Sequence, residues 1–198
     1  MRPFVVHEGV GAPLRQSNVD TDQILPSKYL KMITRNGFEE ALFAQWRQSP
    51  DFVLNRPRYR DASVLVAGPD FGIGSSREAA VWALQDYGFR AIIAPRYGDI
   101  FRSNCAKSGL LLVELDEGKV HALWNVLEVT PGELVTVDLE RRRVRAGGDF
   151  DEEFSMDDYT RWRLLNGLDE IDITLRLDDD IARFETFRSP LKPSLHAR

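Results

Sequence analysis

The sequence predicts an α/β fold, a parallel sheet with flanking helices. Three observations predict it: short apolar runs at 63–68, 90–94 and 110–115, helical periodicity between them, and glycine or proline at the joints. Strands buried on both faces read as unbroken apolar runs rather than alternations. After the first run, Ala80, Ala83, Leu84 and Tyr87 recur at i, i+3, i+4 and i+7, and Gly88 stops a helix over about 75–87. A second helix over 99–107 stops at Gly109, and a third over 117–128 closes at Pro131-Gly132. This β-α-β-α-β-α order implies right-handed crossovers in one sheet. Ligands then bind beyond the carboxyl ends of the strands, where the loops at 69–76 and 95–99 fall and can face one pocket.

The flanks are read the same way. Val135, Val137 and Leu139 alternate, and a turn at Glu140-Arg141 returns the chain over 142–146 as a hairpin. Its Arg141, Arg142, Arg143 and Arg145 read as a solvated strand face, with phosphate binding as the minor alternative. Ser155-x-x-Asp158 resembles a cap for a helix over 159–165, stopped by Asn166-Gly167. Asp178-Asp179-Asp180 reads as the cap of a helix over about 181–187 rather than as a metal site. A loose tail follows from about 189, with Pro190 and Pro193. Residues 28–60 form a long insertion before the first core strand. Phe38, Leu42 and Trp46 share helical spacing there, which predicts a short packed helix. The segment is either a mobile substrate loop or a packed excursion without function.

Composition bounds the function. With 198 residues, the chain is expected to form one domain over 1–198. A net charge of −5 argues against nucleic acid as the main partner. No apolar run approaches the ~20 residues of a membrane span. The first residues lack a signal-peptide core, so a cytoplasmic location is expected. The single cysteine, Cys105, excludes a disulfide within the chain and a self-held iron–sulfur cluster. His7, His121 and His196 lie far apart and form no ligand pattern.

The chemistry concentrates in Gly72-Ile73-Gly74-Ser75-Ser76-Arg77-Glu78, at a strand-to-helix junction. Free amides and the positive helix end suit a carboxylate or phosphate there. Arg77 adds a bidentate clamp, and the serines add a nucleophile or proton carrier. Ser75-x-x-Glu78 equally fits a capping box, with Ser75 as N-cap and Glu78 third in the helix. A dinucleotide fingerprint fails because Arg77 stands where its last glycine belongs, and no Gly-Lys-Ser/Thr follows for a Walker loop.

Three segments occur in order: Asn18-Val19-Asp20-Thr21-Asp22-Gln23-Ile24, Phe71–Glu78 and Asp99-Ile100-Phe101-Arg102-Ser103-Asn104-Cys105. Together with Asp51-Phe52-Val53-Leu54-Asn55 and Leu164-Leu165-Asn166-Gly167-Leu168-Asp169, they resemble the small subunits of 3-isopropylmalate dehydratase, in the aconitase superfamily. The resemblance covers nearly the whole chain. It implies a swivelling β/β/α domain like the mobile fourth domain of aconitase. It also implies a separate large subunit carrying a [4Fe–4S] cluster, with no cofactor or metal on this chain. The implied reaction, in leucine biosynthesis, converts 2-isopropylmalate to 3-isopropylmalate through isopropylmaleate, and neither subunit acts alone.

The same resemblance implies residue roles. Ser75 is the base, acting as an alkoxide, and Ser76 and Arg77 bind substrate carboxylate. Tyr29, Leu30 and Lys31 correspond to the specificity loop, where an apolar Leu30 suits an isopropyl group. Asp20, Thr21 and Asp22 brace the site, while on residue pattern alone they read as an Asx-turn network. Cys105 is expected to be a small buried hydrophobe without a catalytic part. Two departures from the family pattern flank the pocket. Asp70 replaces a common asparagine, and Arg96-Tyr97-Gly98 replaces Ser-Phe-Ala. The nearest alternative is the small subunit of homoaconitase or of a citraconate or dimethylmalate hydratase. An alternative of another class is a stand-alone dicarboxylate-binding module, which needs no cluster protein.

Overall fold

The computed structural model describes residues 1–31, 37–75 and 77–187; Ser76 and the tail expected from about 189 lie outside the described residues. In chain order it contains β1 (Val6–Leu14), β2 (Val19–Asp20), α1 (Thr21–Ile24), β3 (Val64–Ala67), β4 (Phe71–Ile73) and α2 (Glu78–Tyr87). Then follow β5 (Ala91–Ala94), α3 (Asp99–Ser108), β6 (Leu111–Glu114), α4 (Glu117–Val129), β7 (Leu134–Asp138), β8 (Arg143–Ala146) and β9 (Phe150–Glu153). Three helices end the described chain: α5 (Asp158–Asn166), α6 (Glu170–Leu175) and α7 (Asp178–Thr186).

Seven strands form one sheet in the order β6-β5-β3-β1-β7-β8-β9. The first four are mutually parallel, as the apolar runs predict. The other half is antiparallel, so the sheet is mixed rather than parallel throughout. β1 joins the halves by dividing its length. Val6–Val10 pairs antiparallel with β7, and Gly11–Leu14 pairs parallel with β3.

Each parallel strand is apolar on both faces because both are covered. Leu65, Ala67, Ile92, Ala94 and Leu112 point to the side holding α2, α3 and part of the 38–59 segment. Val64, Val66, Ala91, Ile93, Leu111 and Val113 point to the side of α4 and α5. Each fully buried Leu, Ile or Phe of these layers contributes about 1.5–3 kcal/mol. Two polar atoms that enter the core find carbonyls. Trp124 Nε1 donates to Val66 O at 2.8 Å, and Tyr59 Oη donates to Leu127 O at 2.9 Å.

Several local expectations need correction. α2 starts at Glu78 with Arg77 in the N-cap position and no side-chain cap, so Ser75 does not cap it. α5 is capped by Asp157, which accepts from Thr160 N at 2.8 Å, not by Ser155. A cap must immediately precede the first helical residue, and Ser155 stands two positions too early. Asp178, Asp179 and Asp180 form the first turn of α7, where their charge opposes the helix dipole, rather than its cap. Phe38, Leu42 and Trp46 do not share a helix: Phe43 takes φ 49° and donates its N–H to Ile24 O at 2.8 Å, which breaks the winding. Residues 46–59 instead form 3₁₀ turns, and Phe38, Leu42 and Phe43 are still fully buried.

The arginines of the β7–β8 hairpin are answered by carboxylates. Arg143 pairs with Asp151 at 2.8 Å, Arg142 with Asp158, and Arg141 with buried Asp138. Arg143 and Arg145 lie on β8, as expected from the sequence, while Arg141 and Arg142 lie in the turn before it.

His7 sits at the edge of the core with Nε2 2.8 Å from Ser63 Oγ. Burial first, then Arg90 and Arg2, lowers its pKa. The native state therefore binds fewer protons than the unfolded state, and stability rises with pH. His7 contributes fully above the unfolded value of about 6.5 and progressively less as pH falls through the lowered native one. Urea unfolding should show a midpoint that falls from pH 7.5 to 5.5, with a smaller fall in His7→Gln. Equal falls in both proteins would contradict the assignment.

Candidate active site

The site is assembled where β1, β3 and β5 end. The chain leaving β1 forms β2, and the chain leaving β3 forms β4; the two pair in parallel as a separate small sheet, Val19 opposite Phe71. The chain leaving β5 joins them through Phe71. Phe71 N donates to Arg96 O at 3.1 Å, and Gly98 N donates to Phe71 O at 3.0 Å. The loops expected to face one another are therefore hydrogen-bonded together.

The packing between them is close. A Cβ on Gly98 would lie 2.5 Å from Gly72 O, so this glycine lets one backbone rest on the other. Gly72 has φ +76°, and a Cβ there would strike the Phe101 ring at 2.3 Å. The left-handed backbone and the ring both exclude a side chain.

The two departures from the family pattern meet here. Arg96 Nε and Nη2 donate to Asp70 Oδ1 and Oδ2 at 2.8 and 2.6 Å, a bidentate pair. Hydrogen bonding to Arg96 holds the Asp70 carboxyl below its usual pKa. Tyr97 is buried, and its hydroxyl lies 2.8 Å from both Ile92 O and Val113 O. Opposite charges at 70 and 96, on loops already expected to converge, were the available signal for this pair.

The bracing segment lies on the other side of β4. Asp20 caps α1 in a reciprocal box: its carboxylate accepts from Gln23 N at 2.7 Å, and Gln23 Oε1 accepts from Asp20 N at 2.8 Å. This is the local turn network that the residue pattern suggests, and it carries Thr21 to the motif. Thr21 is 2% exposed and its Oγ1 donates to Ser75 O at 2.9 Å. Asp22 forms an ion pair with Arg77, whose side chain is mostly covered. Ser75 is thus gripped by its carbonyl. Its side chain is exposed and its hydroxyl makes no hydrogen bond among the described residues. The N-terminal amides of α2 begin three residues on, uncapped by any side chain.

The remaining expected residues follow α1. A 3₁₀ turn at Ser27–Lys31 carries Tyr29, which packs against the core, and Leu30, which is 41% exposed. The side chain of Lys31 lies outside the described set, as does Ser76. Cys105 is fully buried in α3, and burial pushes its thiol pKa well up, as a small hydrophobe requires. Among the described residues, no three His, Cys, Asp or Glu side chains converge on a metal site.

A family model described as the aconitase C-terminal domain matches residues 1–118. The 3-isopropylmalate dehydratase small subunit of Saccharopolyspora erythraea is 59% identical over 98% of this chain and 96% of that protein. The chain belongs to the 3-isopropylmalate dehydratase small-subunit family. A second member, from a Nocardioides species, is 59% identical with both chains covered completely. A solved 3-isopropylmalate dehydratase structure from Methanocaldococcus jannaschii shares the fold, with TM-score 0.70 over 90% of this chain and 99% of that one, at 22% identity. The swivel-type α/β architecture is that of the family, and the three motifs that carry the resemblance build one contiguous site.

Tyr97→Phe removes one buried hydroxyl from beneath that site. We expect a loss of about 0.5–1.5 kcal/mol in urea unfolding, with the fold retained. An unchanged midpoint would show that the hydroxyl contributes nothing.

Proposed function

We propose that this chain is the small subunit of a heteromeric hydro-lyase that converts 2-isopropylmalate to 3-isopropylmalate through isopropylmaleate, in leucine biosynthesis. One observation carries the reading: Ser75 presents a free hydroxyl on a backbone fixed by buried Thr21, beside Arg77. The family relationship supplies the reaction class. The side chain of Ser75 is exposed, which favours a site completed by a second protein over a stand-alone dicarboxylate binder. That protein is the large subunit. The sequence has one cysteine, which supports assigning the [4Fe–4S] cluster to the partner, where it would supply Lewis acidity toward the departing hydroxyl.

Ser75 takes the C–H proton in the dehydration and returns it in the rehydration. An isolated serine is far too weakly acidic for this. The Arg77 guanidinium and the uncapped amides of α2 stabilise the alkoxide electrostatically. Arg77 and Ser76 bind substrate carboxylate. Asp22 occupies one edge of the Arg77 guanidinium, which orients it and leaves its other donors for the substrate. Tyr29, Leu30 and Lys31 form the specificity loop, with Leu30 facing the isopropyl group. The domain swivels as a unit, and the 38–59 part of the expected substrate loop, packed into the core, moves with it. A cytoplasmic enzyme with one reduced, buried cysteine completes the reading.

An anaerobic assay with a cluster-reconstituted large subunit tests this. Activity should require both proteins. Ser75→Ala should lower kcat by at least ~100-fold with a modest change in KM. Near-normal turnover would remove the base assignment. Thr21→Val should lower kcat while Thr21→Ser restores it, since only the valine lacks the hydroxyl that holds the Ser75 carbonyl. Leu30→Arg should shift relative kcat/KM toward a substrate with a third carboxylate. An unchanged ratio would detach Leu30 from specificity, and activity only with homologous acids would move the chain to a related hydro-lyase.

A further inference from the structure

The last two described helices, α6 and α7, bury none of their residues. They expose Ile171, Leu175, Leu177, Ile181, Phe184 and Phe187, nearly half of the large apolar side chains exposed among the described residues. Scattered apolar residues on a surface are ordinary, but such a concentration on one short segment marks an interaction site.

This arm is fastened to the body through α6. Asp172 lies 3.7 Å from the Met1 ammonium, Glu170 accepts from Arg163 Nη1 at 3.1 Å, and the Arg176 guanidinium lies 5.1 Å from the centre of the Trp162 ring. The ion pair described for α7 is internal, Arg183 to Asp180 at 2.9 Å. A helix of 9 residues is marginal on its own in water, so α7 needs a surface to lie on.

The sequence of α7 says which kind of surface. Leu177, Ile181 and Phe184 stand at i, i+4 and i+7 and make a stripe along one face. At about 100° per residue, Asp178 and Glu185 border one side of the stripe and Asp180 the other. Residues 169–187 hold seven carboxylates against two arginines, a net −5, which equals the net charge of the whole chain. A second copy is a poor occupant, because a two-fold contact sets one patch against itself, acid upon acid. The matching occupant is an apolar groove with a basic rim.

The arm leaves the body at the opposite end of the strands from Ser75. The Met1 ammonium at its base donates to Gly167 O at 2.9 Å, and Met1 also packs against Gly109, just ahead of β6. Ser75 follows β4, beyond the carboxyl ends of the parallel strands.

We propose that α6 and α7 form a docking arm, which lays the stripe of Leu177, Ile181 and Phe184 into a basic-rimmed apolar groove of the large subunit. This rests on the heteromeric reading above. The arm holds the partner at a place remote from the chemistry, so it governs assembly and leaves turnover within the assembled enzyme unchanged.

The test uses the full chain and the cluster-reconstituted large subunit under anaerobic conditions. Amide hydrogen exchange across 170–187 should be fast in the chain alone and at least tenfold slower in the complex. Slow exchange in the chain alone would overturn the proposal, because residues 188–198 or a second copy would then cover the stripe. Equally fast exchange in both states would overturn it too. Ile181→Ser combined with Phe184→Ser, both at exposed positions, should weaken binding of the large subunit at least tenfold by titration calorimetry and leave kcat at saturation unchanged. Undiminished affinity, or a fall in kcat at saturation with affinity kept, would remove the docking role. A wild-type pair that binds and protects the arm, yet does not turn over isopropylmalate, would sink the enzyme reading and leave the arm standing.

Discussion

The backbone of Phe71 is the joint on which the site depends. It pairs with Val19 on one side and with Arg96 and Gly98 on the other, while its ring packs edge-on against Phe101 at 5.6 Å. One residue thereby fixes the chain leaving three strands of the sheet. Main-chain hydrogen bonds make this joint, and Gly98, where a Cβ would lie 2.5 Å from Gly72 O, lets the two backbones close on it.

Above the joint, support and exposure are separated. Thr21, Gly72 and Tyr97 are buried and do the positioning, and Ser75 projects from them into the open. The proposed role of that hydroxyl needs such an arrangement: fixed by its carbonyl, free at its oxygen. The Asp70–Arg96 pair lies at the solvent boundary, where ion pairs add little stability. Its bidentate geometry instead ties the two loops at a second point beside Phe71.

The parallel half of the fold was legible because its signals are local. Unbroken apolar runs, helical periodicity, and Gly88, Gly109 and Gly167 as stops placed β3, β5, β6 and the helices after them to within a few residues. β1 was not, because it pairs with β7 far along the chain, and β9, Phe150–Glu153, was not, because it is mostly polar. The false helix over Phe38, Leu42 and Trp46 shows the limit of periodicity. Those residues are buried or packed as the pattern demands, but Phe43 bonds to Ile24 across the structure and takes a conformation no helix allows. The motif residues of the candidate site were singled out from the sequence, and the structure brings Thr21, Asp22, Ser75 and Arg77 together. The misread cap at Ser75 concealed what matters about it, that its side chain is unoccupied. The grip of Thr21 on the Ser75 carbonyl spans 54 positions and has no local signature.

The division of β1 has a consequence for how the protein is made. It is synthesised long before β7, yet it lies in the middle of the finished sheet, and its first half waits for a partner at Leu134–Asp138. On the ribosome, residues 6–10 must stay unpaired while more than half the chain is made, at about 5–20 residues per second. During those seconds the parallel half can assemble on residues 11–14 with one edge bare. A lone strand edge is a template for pairing with a neighbour. The nascent subunit therefore passes through a sticky stage that ends only when β7 emerges and closes over β1.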